Sequence, residues 1–344
     1  MHRFLNSGVN LEAFKARVLP ASSVLIAGHD YPDPDCMAAA AAMAHLMKFL
    51  GARSCVTAFG GFVGREENRA MTRLLEFSVT PMSLVNWDHF DKVIVVDAVP
   101  GGSNLSLPPQ VAVHAVFDHH RTMPGPEASY FWDIRQNIGA SASLATMYLL
   151  AAQCPIPSKL ATGLFYGIKT DTQDMGRDAF PEDIACYKLL FDLMDHGLLS
   201  QIEHPPRDRV FFETLHRAWA SIRVYGAEEE IAHIHIGEVT APDHVGEMAD
   251  FFHALKTLEW TLCSGIFKDN FFFSIRCKHS DNAGQKAREI GRLCGGSGGG
   301  HAKIGAGRIP IPSRQGTDVL GGFKTSMKKV LEISGLTGKP LLHQ

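Results

Sequence analysis

No two of the seven cysteines are spaced as Cys-x-x-Cys, and their number is odd. Cys36, Cys55, Cys154, Cys186, Cys263, Cys277 and Cys294 therefore supply neither a zinc-finger frame nor a disulfide frame, and reduced thiols are expected. No uninterrupted apolar run reaches membrane-spanning length. The N-terminus shows no basic, apolar and small-residue succession of the signal-peptide kind. The expected location is cytoplasmic, with no membrane partner. Positive charge is not in excess: 33 Lys and Arg face 36 Asp and Glu, a formal net charge of -3. Long duplex nucleic acid usually needs a broad basic face and is not the expected partner. A local pocket for one short nucleotide fits the same balance. No internal repeat occurs, and low complexity is confined to an Ala run and a Gly run.

What is present is the composition of an ordinary globular protein, 45% hydrophobic and 20% charged. The 344 residues exceed one typical core, so two domains are expected. A helix over about Asn10–Leu19 leads into apolar, partly β-branched runs at Ser23–Ala27, Ser54–Phe59, Lys92–Asp97 and Val113–Phe117, which read as strands. Helical stretches alternate with them, among them the Ala-rich run after Asp35 and a helix over about Ser141–Gln153. This βαβ alternation predicts an α/β fold: a mostly parallel sheet with helices on both faces in residues 1–195. Glu203-His204-Pro205-Pro206 breaks the pattern, and residues 196–223 read as a connecting helix and linker. Residues 224–344 are expected to form a smaller mixed α/β domain, with an active cleft between the two. Its strands are placed at Ile231–Val239, Trp260–Phe267 and Phe271–Cys277, with a hairpin turn at Lys268-Asp269-Asn270 and helices over about Asp243–Lys256 and Ala283–Leu293.

Four clusters of acid and His residues follow apolar runs directly. The first is Gly28-His29-Asp30-Tyr31-Pro32-Asp33-Pro34-Asp35, a loop stiffened by two prolines, with Asp35 at the expected N-cap of the Ala-rich helix. Asp97 ends the third strand, Asp118-His119-His120 ends the fourth, and Asp171 sits in Thr170-Asp171-Thr172 after a buried helix. The junction at the carboxyl end of a strand is where open α/β sheets bind ligands. Carboxylates and imidazoles gathered in one place repel or stay poorly solvated unless a cation joins them. Oxygen and imidazole donors suit Mn²⁺ or Mg²⁺ better than a thiolate-bound metal. The constellation reads as a two-metal phosphoester hydrolase.

These residues resemble the four motifs of the DHH phosphoesterase superfamily, in order. Gly295-Gly296-Ser297-Gly298-Gly299-Gly300-His301 resembles the glycine signature of the DHH-associated C-terminal domain. The subgroup most resembled is that of the oligoribonucleases (nano-RNases) and 3′-phosphoadenosine 5′-phosphate phosphatases. The resemblance implies that His29, Asp33 and Asp97 hold one divalent ion, Mn²⁺ or alternatively Mg²⁺. It implies that Asp35, Asp97, His119 and Asp171 hold a second, with Asp97 bridging. His120 is then a catalytic residue beside the scissile phosphate, and Asp118 supports the His pair. Gly298, Gly299, Gly300 and His301 are expected to bind the substrate's end through a loop whose backbone amides approach an anion, with Arg276 as a second contact. One departure stands out, since Gln173 follows Asp171-Thr172 where the family pattern has Gly.

The activity expected is hydrolysis of very short RNA, dinucleotides or 3′-phosphoadenosine 5′-phosphate to mononucleotides. Exopolyphosphatase or pyrophosphatase is the alternative, and a non-catalytic nucleotide sensor a second one. A homodimer is compatible with the sequence. His233 and His235 share one face of a strand and are expected to face solvent, whereas Phe271-Phe272-Phe273 is expected to pack in a core.

Overall fold

The computed structural model of the protein describes residues 9–102, 104–120, 129–279, 282–300, 302–311 and 318–342. The chain divides into two compact units, Met1–Pro205 and Pro206–Gln344. The segment read as a linker is shared between them. Leu199 and Ile202 of the helix His196–Glu203 are buried in the first unit's core, whereas Ala218 of the helix Arg209–Ser221 is buried in the second's. Among the described residues no helix is long and apolar enough to cross a membrane.

The first unit is built on six strands: β1 (Ser23–Gly28), β2 (Ser54–Phe59), β3 (Thr80–Pro81), β4 (Lys92–Val96), β5 (Ala115–Asp118) and β6 (Phe131–Ile134). Their order is β3-β2-β1-β4-β5-β6, and every pairing is parallel. Parallel strands are buried on both faces and so read as continuous apolar runs rather than alternating ones. Val24, Ile26, Ile94, Val96 and Phe117 point into a layer of α-helices that includes Pro34–Phe49, Ser141–Ala151 and Ser158–Asp171. Leu25, Ala27, Val93, Val95 and Val116 point the other way. The expected helical cover is therefore α-helical on one face; on the other it is the two 3₁₀ turns Met82–Leu84 and Trp87–His89 with apolar loop residues such as Leu105. Strands β3 and β6 are additions to the four strands expected; each is short and lies at a sheet edge. The strand order switches direction between β1 and β4, which puts the carboxyl ends of those two strands at the position where doubly wound sheets bind ligands.

Helix Pro34–Phe49 owes its start to Asp33, whose side chain accepts from Cys36 N, and to Pro34 at its first position. This corrects the expectation that Asp35 is the cap. Asp35 is already inside the first turn, and its carboxylate is released for other partners. The Ala run makes the helix slim: Ala38, Ala39, Ala40 and Ala42 are all buried. Gly167 continues this, since a Cβ there would sit 3.1 Å from Asp35 Cα.

The second unit carries a seven-stranded mixed sheet of β7 (Arg223–Tyr225), β8 (Ile231–Glu238), β9 (Trp260–Phe267), β10 (Asn270–Cys277), β11 (Ser297–Gly300), β12 (Ile304–Pro310) and β13 (Lys339–Pro340). The order is β11-β12-β10-β9-β8-β7-β13, with β8–β9 parallel and the other pairs antiparallel. Helices Ala283–Leu293 and Val319–Val330 pack through Ala287, Ile290, Phe323 and Met327 on one apolar layer, which also holds Phe271 and Phe273. Helices Arg209–Ser221 and Asp243–His253 pack on the other. His233 is buried rather than solvent-facing, and its Nε2 lies 3.0 Å from Ser264 Oγ.

Candidate metal centre

The first unit brings His29, Asp33, Asp35, Asp97, Asp118, His119, His120 and Asp171 into one cluster at the carboxyl ends of β1, β4 and β5 and at the end of helix Ser158–Asp171. Asp97 is its centre. It follows β4 in the left-handed region at φ 54°, a conformation that non-glycine residues adopt at a cost and that is concentrated at functional sites. One carboxylate oxygen, Oδ2, lies 3.3 Å from His29 Nε2; the other, Oδ1, lies 3.4 Å from His119 Nε2. On the His29 side, Asp33 Oδ1 is 3.7 Å from the same Nε2. On the His119 side, Nε2 is 3.2 Å from Asp171 Oδ2 and 4.0 Å from Asp35 Oδ2. Donors about 2.0–2.2 Å from one shared ion stand roughly 3.0–3.5 Å apart. Most of these spacings fall in or just above that range.

Several of these side chains are held by neighbouring groups. His29 Nδ1 faces the Asp30 carbonyl oxygen at 2.9 Å, which turns Nε2 inward. Asp35 accepts from Ser141 N at 2.7 Å and Ala142 N at 2.8 Å. Helix Ser141–Ala151 lacks a side-chain cap of its own, so this carboxylate from another helix satisfies its first amides. Ser141 Oγ donates to Asp97 Oδ1 at 2.9 Å. Asp118 Oδ1 accepts from His119 N at 2.8 Å, His120 N at 3.2 Å and His120 Nδ1 at 2.8 Å. Arg177 donates to the Asp171 carbonyl at 2.6 Å and lies 3.4 Å from its carboxylate.

The electrostatics are those of a site short of positive charge. Burial first, then the neighbouring Asp97 and Asp171, push the Asp35 carboxyl well above the usual carboxylate range. Burial likewise drives Asp171 up to about 7. Burial would raise Asp97 too, but hydrogen bonds from His119 and His29 hold it well below its ordinary value. His119 rises to about 10: burial opposes its charge, and Asp97, Asp35 and Asp171 overcome that. Carboxyls forced towards the neutral form by burial and by one another are what bound divalent cations would relieve, so the donor set fits such ions. The donor types are oxygen and imidazole throughout, save one thiol. That thiol belongs to Cys36, which burial pushes up to about 12.

Residues 23–168 match the DHH family, N-terminal domain. This segment is a DHH-family domain. Over 289 residues the chain is 30% identical to an uncharacterized protein of Methanocaldococcus jannaschii, covering 84% of this chain and 58% of that one. Over 151 residues it is 24% identical to a probable manganese-dependent inorganic pyrophosphatase of Enterococcus faecalis, covering 44% of this chain and 48% of the relative. The chain thus spans about half the length of the curated relatives it matches. An exopolyphosphatase-related protein from Bacteroides fragilis shares the fold, with a TM-score of 0.69 at 13% identity, covering 94% of this chain and 97% of the other.

Just beyond the matched segment, Gln173 keeps the left-handed backbone that a glycine would favour, with φ 49°, and Asp174 and Met175 follow it there at 56° and 66°. The sequence signal missed was Ser141, legible as a helix start but not as a hydrogen-bond partner of two aspartates. Ser141→Ala should weaken divalent-ion binding by about 10–100-fold with little change in fold, as removal of a group orienting a ligand typically does. Calorimetric titration with Mn²⁺ checks this; unchanged affinity would reduce the hydroxyl to a packing role.

The candidate substrate contacts lie in the second unit. Gly298, Gly299 and Gly300 form strand β11, paired antiparallel with Gly307, Ala306 and Gly305, and not the loop expected. Glycine is required for packing: a Cβ on Gly298 would come within 2.2 Å of the Ala287 carbonyl oxygen of helix Ala283–Leu293. Gly299 faces open space. His301 lies outside the described residues. Arg276 is buried on β10, ion-paired with Asp250, and donates to Ser274 Oγ at 2.7 Å.

Proposed function

We propose that the chain is a phosphoester hydrolase dependent on two divalent ions and acting on very short oligoribonucleotides, dinucleotides or 3′-phosphoadenosine 5′-phosphate. The observation that carries the reading is Asp97, whose two oxygens each face a different imidazole at 3.3 and 3.4 Å. A carboxylate so placed can hold two cations about 3.5–4 Å apart, the separation of two-metal phosphoryl-transfer sites. His29, Asp33 and Asp97 would hold one; Asp35, Asp97, His119 and Asp171 the other. Oxygen and imidazole donors of this kind accept Mn²⁺, with Mg²⁺ as the alternative. Bound ions would supply polarisation of the phosphoryl group and ease loss of a proton from the attacking water.

The protein's own groups do the rest. Asp118 fixes the ring of His120 through Nδ1, so Nε2 is the nitrogen from which His120 would donate. Hydrogen bonding by Asp118 first, with burial opposing, raises the His120 pKa and favours its protonated form. As the oxygen of water bonds to phosphorus and the ester P–O bond breaks, that proton passes to the leaving oxygen. We assign recognition of the substrate's end to the second unit, through Gly298–Gly300 and His301. The absence of a basic excess supports short substrates over long ones.

A second reading, hydrolysis of pyrophosphate or polyphosphate, is favoured by the similarity to the Enterococcus faecalis pyrophosphatase. A panel of dinucleotide, short RNA, 3′-phosphoadenosine 5′-phosphate, pyrophosphate and polyphosphate, assayed with Mn²⁺, separates the two. Mononucleotide release that stops on chelation is the expected result. Phosphate release from the inorganic substrates alone would transfer the protein to the second reading.

A further inference from the structure

We propose that Cys36 is a metal donor, and that it gives the His29 position of the centre a preference for a borderline ion such as Zn²⁺ or Co²⁺ over Mn²⁺. This rests on the two-ion reading of the site given above. Cys36 occupies the first turn of helix Pro34–Phe49, with its backbone amide donating to Asp33 Oδ1 at 2.9 Å. Its side chain is fully buried. The thiol is nonetheless not turned into the apolar layer alone: donor atoms of His29, Cys36 and Asp97 all lie within 4.8 Å of one another. Among the described residues this is the thiol that falls in a candidate ligand group. Two features aim it there. Gly28, which ends β1, leaves the space that Sγ takes, since a Cβ on Gly28 would sit 2.4 Å from it. The Asp30 carbonyl holds the far side of the His29 ring, leaving Nε2 on the side of Asp97.

The consequence is an asymmetric pair. Around His29 the donors are nitrogen, two carboxylates and sulfur; around His119 they are nitrogen and carboxylates throughout. Around a tetrahedral ion, metal–sulfur and metal–imidazole bonds of about 2.3 and 2.0 Å hold the two donors roughly 3.5 Å apart, within the 4.8 Å that bounds these donor atoms. On binding, the S–H proton leaves to solvent as the sulfur–metal bond forms, with no change in oxidation state. Soft and borderline ions gain most from sulfur, and Mn²⁺ gains least. Burial of a small apolar residue would account for Cys36 without any ligand role, and the two accounts differ in a spectrum.

The test is a Co²⁺ titration of the metal-free full-length chain, followed by near-ultraviolet absorbance, with bound ions counted by equilibrium dialysis. Two bound Co²⁺ with a sulfur-to-cobalt charge-transfer band are expected. Cys36→Ser, which preserves side-chain volume, should still bind two ions but lose the band, and its preference for Zn²⁺ over Mn²⁺ should fall about 10-fold or more. Cys36→Ala serves the same purpose should the serine variant not fold. Two bound Co²⁺ without the band, or a band that survives in the Cys36 variant, would overturn the assignment while leaving the two-ion site standing. Failure to bind Co²⁺ at all would remove the site, and this proposal with it.

Discussion

Asp97→Asn is expected to reduce turnover by about 10³-fold or more, the several kcal/mol of charge stabilisation that a metal pair gives the transition state. The substitution is chosen for the backbone. Position 97 sits at φ 54°, and Asn tolerates the left-handed region better than Ala, so loss of activity is not confounded by strain. The amide keeps an oxygen for the 2.9 Å hydrogen bond from Ser141 Oγ. What it loses is the negative charge lying between His29 and His119. Since both proposed positions share that carboxylate, one substitution weakens both. A melting temperature within a few degrees of wild type, together with lost turnover, supports the assignment. Turnover retained by the metal-loaded variant would end it.

The second large effect is expected at His120, where replacement by Ala should cost about 10²–10⁴-fold, the usual range for loss of a positioned general acid. The role of Asp118 is tested separately by Asp118→Asn, which retains an oxygen for the amides of His119 and His120. Asp118 is the main cause of the raised His120 pKa. The protonated, donating form of His120 is present below that pKa and disappears as pH rises through it. Removing the charge of Asp118 lowers the pKa, so the alkaline fall in kcat/KM should move to lower pH. A profile that stays in place as the rate drops would make Asp118 a structural residue only.

How much of this was legible in the sequence depended on range. The loops that carry the acid and His cluster could be read because β1, β4 and β5 are buried parallel strands whose apolar runs end abruptly in charge. The residues following those ends belong at the ligand-binding edge of such a sheet. Strands β3 and β6 escaped because two and four residues at a sheet edge carry little periodicity. Asp33 and Asp35 flank Pro34, and either could cap the helix on local grounds. What decides it is that Asp35 meets the amide of Ser141, 106 residues along the chain, a contact no local pattern encodes.

The glycine run failed as a loop for a related reason. Glycine is a poor strand former, but strand β11 lies beneath a helix so close that Gly298 and Gly291 leave no room for a Cβ. Propensity describes the residue alone, and here the neighbour decides. Burial of His233 against Ser264 is the same kind of finding: alternation along β8 gave the face, but not that the Ser264 hydroxyl of β9 and a helical Phe323 lie on it.

The most direct test of the central claim is the number of Mn²⁺ ions bound per chain, measured by equilibrium dialysis on the wild type and on Asp97→Asn. Two ions per wild-type chain, and loss of at least one in the variant, is the result that a carboxylate shared between His29 and His119 predicts. A wild-type chain that binds no Mn²⁺, or a variant that still binds two, would contradict it.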